Sequence, residues 1–244
     1  MLKITNIKRK TKNMKSMKNN IVVLASNNKK KIFEIETLLS ENPSIDLKVS
    51  SLRDIGFNDE IVEYGITFEE NALIKASVPA KLGYFGIADD SGLMVDHLDG
   101  APGVYSARFA GEPCDDSKNR MKLLECMQGV QHDFRKAKFV CTMALVLPEE
   151  SNLRIPEEWQ ITEEASDFLG IRRDHAMVVR GECHGYIATE ETGSNGFGYD
   201  SLFYYPEFDK TFAELTNEQK NSVSHRGKAI REFIKKMISV FEGE

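Results

Sequence analysis

Four short clusters in this chain combine residue types that can act on an anion. In the first, Asp89-Asp90-Ser91-Gly92, two adjacent carboxylates follow the apolar run Phe85 to Ala88. Hard oxygen ligands at the end of a strand suit Mg²⁺, and a carboxylate there can orient or deprotonate an attacking water. The same four residues also make an ordinary Asp-Ser-Gly turn. Upstream, Glu63 and Glu70 are further acids that folding could bring to the same ion. The second cluster is Ser26-Asn27-Asn28-Lys29-Lys30-Lys31, set between an apolar run and a helical pattern. Such a junction offers unpaired backbone N–H groups and a positive helix end, which with the polar side chains make a triphosphate cradle. A plain helix cap followed by solvated lysines fits equally well.

The third cluster is Gly193-Ser194-Asn195-Gly196-Phe197-Gly198-Tyr199-Asp200. Its glycines allow close backbone approach, Phe197 and Tyr199 offer π-faces for a base, and Asp200 can accept from a ring N–H. A glycine-rich turn with core aromatics is the other reading. It lacks the dinucleotide fingerprint's spacing. The fourth is Ser224-His225-Arg226-Gly227, with Lys220 four residues before Ser224. Arg supplies a forked donor for phosphate or a purine carbonyl, and Lys a point charge.

The elements that must hold these groups follow from the apolar pattern. Ile21 to Ala25 reads as a short buried strand, followed by a helix with Ile32, Ile35, Leu38 and Leu39 on one face. Ile45 to Val49 reads as a second strand. Thr67-Phe68-Glu69-Glu70 has the form of a capping box, so a helix starts near Thr67 and is kinked or ended by Pro79. Phe85 to Ala88 and Leu93 to Val95 read as strands flanking a polar turn, and Asp116 as the cap of a helix through Met127. Lys138 to Leu147 and Met177 to Ala188 are long strand-like segments, joined by Pro148 to Asp174, which reads as a surface insertion with limited structure of its own. Ile230, Phe233, Ile234, Met237, Ile238 and Phe241 keep the helical period to the end of the chain. Strands mixed with helices give an α/β fold on a mixed sheet.

Composition narrows the class. The 244 residues suffice for one large domain or two closely packed lobes, and four cysteines without metal spacing read as reduced thiols. No apolar run is long enough to cross a bilayer, and no secretory h-region is present, so a cytoplasmic location is expected. Seven of the 32 Lys/Arg fall in residues 1–20, leaving 25 against 38 acidic residues in the chain. The acidic body argues against nucleic acid as a partner and requires a locally basic pocket or a metal for an anionic substrate. The basic residues 1–20 are expected to be a disordered, dispensable extension, with residues 21–244 forming the functional domain.

In this order, the blocks resemble the inosine triphosphate pyrophosphatase family. The resemblance runs through Ser26-x-Asn28-x-x-Lys31-x-x-Glu34, Thr67-Phe68-Glu69-Glu70-Asn71-Ala72 with Lys75, and Ala88-Asp89-Asp90-Ser91-Gly92-Leu93. It continues in Gly100 to Arg108, Gly196-Phe197-Gly198-Tyr199-Asp200 and Ser224-His225-Arg226-Gly227. It implies a two-lobed α/β fold, a long mixed sheet flanked by helices with a substrate cleft between the lobes, and a homodimer. The implied reaction is Mg²⁺-dependent hydrolysis of non-standard purine triphosphates (ITP, dITP, XTP) to monophosphate and pyrophosphate. Asp90 is then the proton acceptor and, with Glu63 and Asp89, a metal ligand. Substrate contacts fall to Ser26, Asn27, Asn28, Lys29, Lys30, Lys31, Lys75, Ser91, Phe197, Gly198, Tyr199, Asp200, Lys220, His225 and Arg226. Phe197 is expected to stack on the purine, Arg226 and His225 to read its 6-oxo edge, and Lys31 to meet phosphate. Three features depart from the family pattern: Ser201 where proline is common, the long segment 148–174, and residues 1–20, which have no counterpart. Maf-type pyrophosphatases share the architecture, but the Ser224 and Phe197 blocks point away from them.

Overall fold

The computed structural model describes residues 20–26, 29–41 and 47–243, with the helical backbone alone at Lys29 and Lys30. Residues 1–19 of the basic extension, Asn27 and Asn28 therefore lie outside the described residues, as do the side chains of Lys29 and Lys30. A seven-stranded mixed sheet organises the fold, in the order β2-β1-β3-β4-β5-β6-β7. β1 (Ile21–Leu24) lies parallel to both β2 (Lys48–Ser51) and β3 (Phe85–Val95). β4 (Lys136–Val146), β5 (Ala176–Ile187), β6 (Phe203–Tyr205) and β7 (Lys210–Thr211) follow antiparallel.

The strand expectation around the two acids is corrected. Phe85 to Ala88 and Leu93 to Val95 do not flank a turn; they are the two ends of one 11-residue strand, and Asp89-Asp90-Ser91-Gly92 lies in its middle. Each of these four residues keeps its antiparallel partner on β4, Met143 for Asp89 and Thr142 for Asp90. Aspartate is disfavoured in a strand interior, so its presence twice over calls for compensating partners. β3 loses its other neighbour at the same point: pairing with β1 ends at Leu24 opposite Ile87. The acids thus stand just beyond the carboxyl ends of the parallel strands, where open α/β sheets form a ligand crevice.

Helices cover the sheet. α1 (Lys29–Ser40) follows β1, and α2 (Phe68–Lys81) carries the expected capping box, in which Thr67 and Glu70 satisfy each other's backbone N–H groups. Pro79 does not end the helix at its own position: α2 runs on to Lys81, two residues beyond it. α3 (Asp116–Cys126) is capped by Asp115, one residue earlier than expected, because the Asp115 side chain accepts from Lys118 N. The segment 148–174 is also corrected. It contains α4 (Glu163–Leu169), and Ile155, Ile161 and Ile171 are buried against the sheet, so it completes a core rather than decorating a surface. α5 (Asn217–Val223) leads through Ser224, whose side chain caps the next helix, into α6 (His225–Glu242). As the period requires, α6 buries Ile230, Phe233, Ile234 and Met237.

The buried side chains form distinct clusters. One joins β1, β4, α1 and α6 through Leu24, Ile35, Met143, Phe233 and Met237. A second holds the far half of β3 with Leu123 of α3 and Phe203, Phe212 and Tyr199. Gly181 on β5 lets α6 come close: a Cβ there would lie 2.3 Å from the carbonyl oxygen of His225. All four cysteines are free, Cys114 and Cys126 exposed, Cys141 and Cys183 buried. No helix among the described residues is long and apolar enough to cross a membrane.

Candidate active site

Successive side chains on a strand point to opposite faces, and Asp89 and Asp90 are drawn accordingly towards different helices. Asp89 meets α1 and α6. Both its oxygens accept from Lys31 Nζ, at 2.7 and 2.8 Å, and Oδ2 also accepts from Arg226 Nη1 at 2.7 Å. Arg226 donates in addition to Glu34 at 3.2 Å. Asp89 is buried, which alone would raise its pKa; the Lys31 and Arg226 charges outweigh that and hold the carboxyl well below the usual range. Burial opposes the Arg226 charge too, but Asp89 and Glu34 keep it protonated.

Asp90 meets α2. It accepts from Lys75 Nζ at 3.0 Å, and the same ammonium reaches Glu63 at 3.2 Å. Burial raises the Asp90 pKa, the neighbouring Glu63 adds to that, and Lys75 only partly offsets it. Lys75 is itself opposed by burial yet held protonated by Asp90 and Glu63. The pair is therefore asymmetric: the ammonium keeps its proton, while the carboxylate stays a better base than an exposed aspartate. Ser91, next along β3, is exposed.

A second group lies along α5, the start of α6 and the loop before β6. Asp200 is buried and accepts from Lys220 Nζ at 2.5 Å and from Phe197 N at 2.8 Å. Gly196, at φ 82°, must lack a side chain, because a Cβ there would collide with the Asp200 carboxylate at 2.1 Å. Phe197 is left 79% exposed, with the Lys220 ammonium 5.1 Å from its ring centre. An exposed aromatic on a pinned backbone is a ready platform for a planar base.

Tyr199 does not share that role. Its ring is buried in the second core cluster and its hydroxyl donates to Ser106 O at 2.8 Å, so it offers no free π-face. His225 stacks on Phe139 at 4.8 Å between centroids, and burial, with Lys220 and Arg226 nearby, holds its pKa down to about 3. It is neutral at physiological pH. His225 Nδ1 and Arg226 Nη2 are enclosed without a hydrogen-bond partner. Buried polar atoms are seldom left so, and here both sit at the start of α6, where polar atoms of a ligand would satisfy them.

The structure therefore gathers Lys31, Lys75, Asp89, Asp90 and Glu63 around the middle of β3, and Phe197, Asp200, Lys220 and His225 into a neighbouring aromatic group. Arg226 and Lys31 converge on a single carboxylate, Asp89. Glu70 is taken up by the α2 cap, accepting from Ile66 N and Thr67 N. Ser26 stands at the end of β1, where its N–H donates to Leu24 O. Glu34 joins the site through Arg226 although its residue type alone does not single it out; its position three residues after Lys31, on the same helical face, is the signal the sequence offers.

Cations paired to acids beyond the end of the parallel pairing, with an exposed aromatic ring on a neighbouring loop, mark an α/β enzyme acting on a nucleotide. The Ham1 family model matches residues 22–236, and the chain belongs to that family. It is 42% identical over 232 residues to the dITP/XTP pyrophosphatase of Bacillus cereus, covering 95% of this chain and all of the relative. It is 45% identical to that of Desulforamulus reducens, over 86% of this chain and 92% of the relative. Among solved structures, the Staphylococcus aureus Ham1 protein superposes with a TM-score of 0.74 at 36% identity, covering 90% of this chain and 98% of that one. A Coxiella burnetii HAM1 protein gives 0.75 at 35%, with the same coverage.

Proposed function

We infer that this chain is a dITP/XTP pyrophosphatase, hydrolysing non-standard purine nucleoside triphosphates to the monophosphate and pyrophosphate. The observation that carries the reading is the 42% identity to the Bacillus cereus enzyme along that enzyme's whole length. The reaction is attack of water on the α-phosphorus, with the bond to the bridging oxygen breaking and pyrophosphate leaving. Asp90 takes the proton of the attacking water. Its raised pKa favours that role, since a stronger base takes the proton more readily. Lys31, Lys75 and Arg226 neutralise charge on the phosphates as the anhydride opens. Asp89, whose oxygens already receive three hydrogen bonds, holds Lys31 and Arg226 in place rather than serving as a metal ligand.

Mg²⁺ fits the remaining donors. Asp90 and Glu63 already share one cation, the Lys75 ammonium, at 3.0 and 3.2 Å, and Mg²⁺ commonly takes one or two protein carboxylates and completes its shell with water and substrate phosphate. No group of three or more acid, His or Cys side chains suited to a metal occurs among the described residues. Asp90 and Glu63 would hold the ion, which when bound polarises phosphoryl oxygens. The base lies against Phe197, with His225, Lys220 and Arg226 near its edge, and the substrate occupies a cleft between two lobes built on the first and second core clusters. A homodimer is the expected assembly.

The test is pyrophosphate release from dITP, XTP, ITP, ATP, GTP and UTP, with and without Mg²⁺. Release from the first three well above the rest, lost on chelation, is expected. Equal rates on ATP and GTP would overturn the substrate assignment.

A further inference from the structure

The exposed Phe197 ring raises a mechanical problem. A base platform is useful only if it is already fixed when the ligand arrives, since ordering a side chain and its loop on binding subtracts from affinity. The Phe197 ring is largely solvent-exposed, and its own N–H donates to Asp200 Oδ2 at 2.8 Å. Its neighbours do the fixing. Tyr199 is anchored in the core and to Ser106 O. Gly198, between them, has both of its backbone polar groups held by one helix: its N–H donates to Asp116 Oδ2 at 2.9 Å, and its carbonyl accepts from Arg120 Nη1 at 3.0 Å.

Asp116 and Arg120 are four residues apart, one turn of α3, so their side chains leave the same face. With its N–H on an acceptor and its C=O on a donor of one helical face, Gly198 has the peptide units on both of its sides held. Arg120 is itself aimed by Glu191, which accepts from Arg120 Nε at 2.7 Å and from Ser201 Oγ at 2.9 Å. Ser201 is the residue that stands where the family pattern commonly has proline, so a hydrogen bond fixes the loop exit where a ring would. The helix carrying the pair is firm: Leu123 is fully buried, and buried Asn119 accepts from Ala110 N at 2.7 Å and donates to Ala107 O at 2.9 Å.

We propose that Asp116 and Arg120 are positioning residues for nucleotide binding, a clamp on α3 that holds Gly198 and thereby pre-sets Phe197 for the base. The proposal rests on Phe197 being the base platform. Neither residue touches the reacting phosphates, so the clamp acts on base-bearing ligands and is silent towards pyrophosphate.

The experiment measures KM and kcat for dITP, product inhibition by pyrophosphate, and Tm for Asp116→Ala, Arg120→Ala, Asp116→Asn and Phe197→Ala. Asp116→Ala and Arg120→Ala are expected to raise KM about three- to tenfold, the range for one side chain that must be ordered on binding. Their kcat and pyrophosphate inhibition constants should stay within about twofold of wild type. Asp116→Asn keeps an oxygen for the Gly198 N–H and should restore KM. An unchanged KM in both alanine variants, with Phe197→Ala raised, overturns the clamp alone. A KM and a pyrophosphate constant that rise together, or a loss in Asp116→Asn equal to that in Asp116→Ala, overturns it as well. An unchanged KM in Phe197→Ala removes the platform and the clamp with it.

Discussion

The two sides of β3 treat the same side chain in opposite ways. On the side of α1 and α6, Asp89 is buried and enclosed by Lys31 and Arg226, and its carboxyl is held below the ordinary range. One residue on, facing α2, Asp90 shares a single ammonium with Glu63 and its carboxyl is raised. Sequence neighbours of identical type are thus separated by a strand's pleat into a fixed anion, useful for holding cations, and a basic carboxylate, useful for taking a proton. Pairs of acids whose surroundings push their pKa values apart mark a division of labour, and here the division costs no extra residues.

Replacing each acid by its amide tests the contrast most directly. Asp90→Asn is expected to lower kcat for dITP by roughly a thousandfold, the effect of losing a general base, with Tm unchanged or slightly higher because a charge that burial disfavours has gone. Asp89→Asn should act on stability first. It leaves Lys31 and Arg226 without their shared counter-ion, and removing one partner of a buried pair costs about 3 kcal/mol, to be read from the urea midpoint. If Asp89→Asn proves stable but inactive and Asp90→Asn unstable, the assignments must be exchanged.

A smaller effect sharpens the same contrast through pH. His225, on the Asp89 side, remains neutral in the fold down to about 3, whereas in the unfolded chain it protonates near pH 6.5. Below pH 6.5 the unfolded chain therefore binds a proton that the fold refuses, and stability falls with pH until about pH 3. At pH 5 the loss attributable to this residue is about 1–2 kcal/mol. His225→Gln should flatten stability between pH 7 and pH 5 in urea titrations; an unchanged slope would show that the ring is protonated in the fold.

The smallest effect is expected from Glu69, also on the Asp90 side. It accepts from Arg180 at 2.7 Å and Thr142 at 3.2 Å in a partly exposed network. Glu69→Gln should change stability by no more than about 0.5 kcal/mol and leave kcat unaltered. A large loss of kcat would extend the Asp90 site outward along the sheet.

Much of this arrangement was legible in the sequence wherever local chemistry decided it. The α2 capping box, the amphipathic α6 and the long strands β4 and β5 depend on residues close together in the chain; the box and the two strands appear within two residues of where pattern places them, and α6 keeps its apolar face but starts at His225, inside the block expected to precede it. The middle of β3 was misread because two aspartates and a glycine are the usual marks of a turn. They remain in a strand only because Lys31, Arg226 and Lys75 come from 58, 137 and 15 residues away. Ile155, Ile161 and Ile171 gave too sparse an apolar pattern to reveal that residues 148–174 close a core. Tyr199 and Phe197 show the same limit at the site. Spacing marks both as candidates, but only the fold turns one inward and leaves the other in solvent. The clamp on Gly198 carried no signal at all, since it is made with main-chain groups.

The continuity of β3 has an evolutionary corollary. Because Asp89 and Asp90 differ only in the side of the strand they occupy, deletion or insertion of a single codon between Phe85 and Asp89 would exchange their surroundings without changing any residue at the site. Two codons would restore the facing but slide the acids along Lys31 and Lys75. The gene should therefore accept many substitutions through this stretch and almost no change of length, whereas the exposed turn at Glu149 and Glu150, between β4 and α4, is free to vary in length.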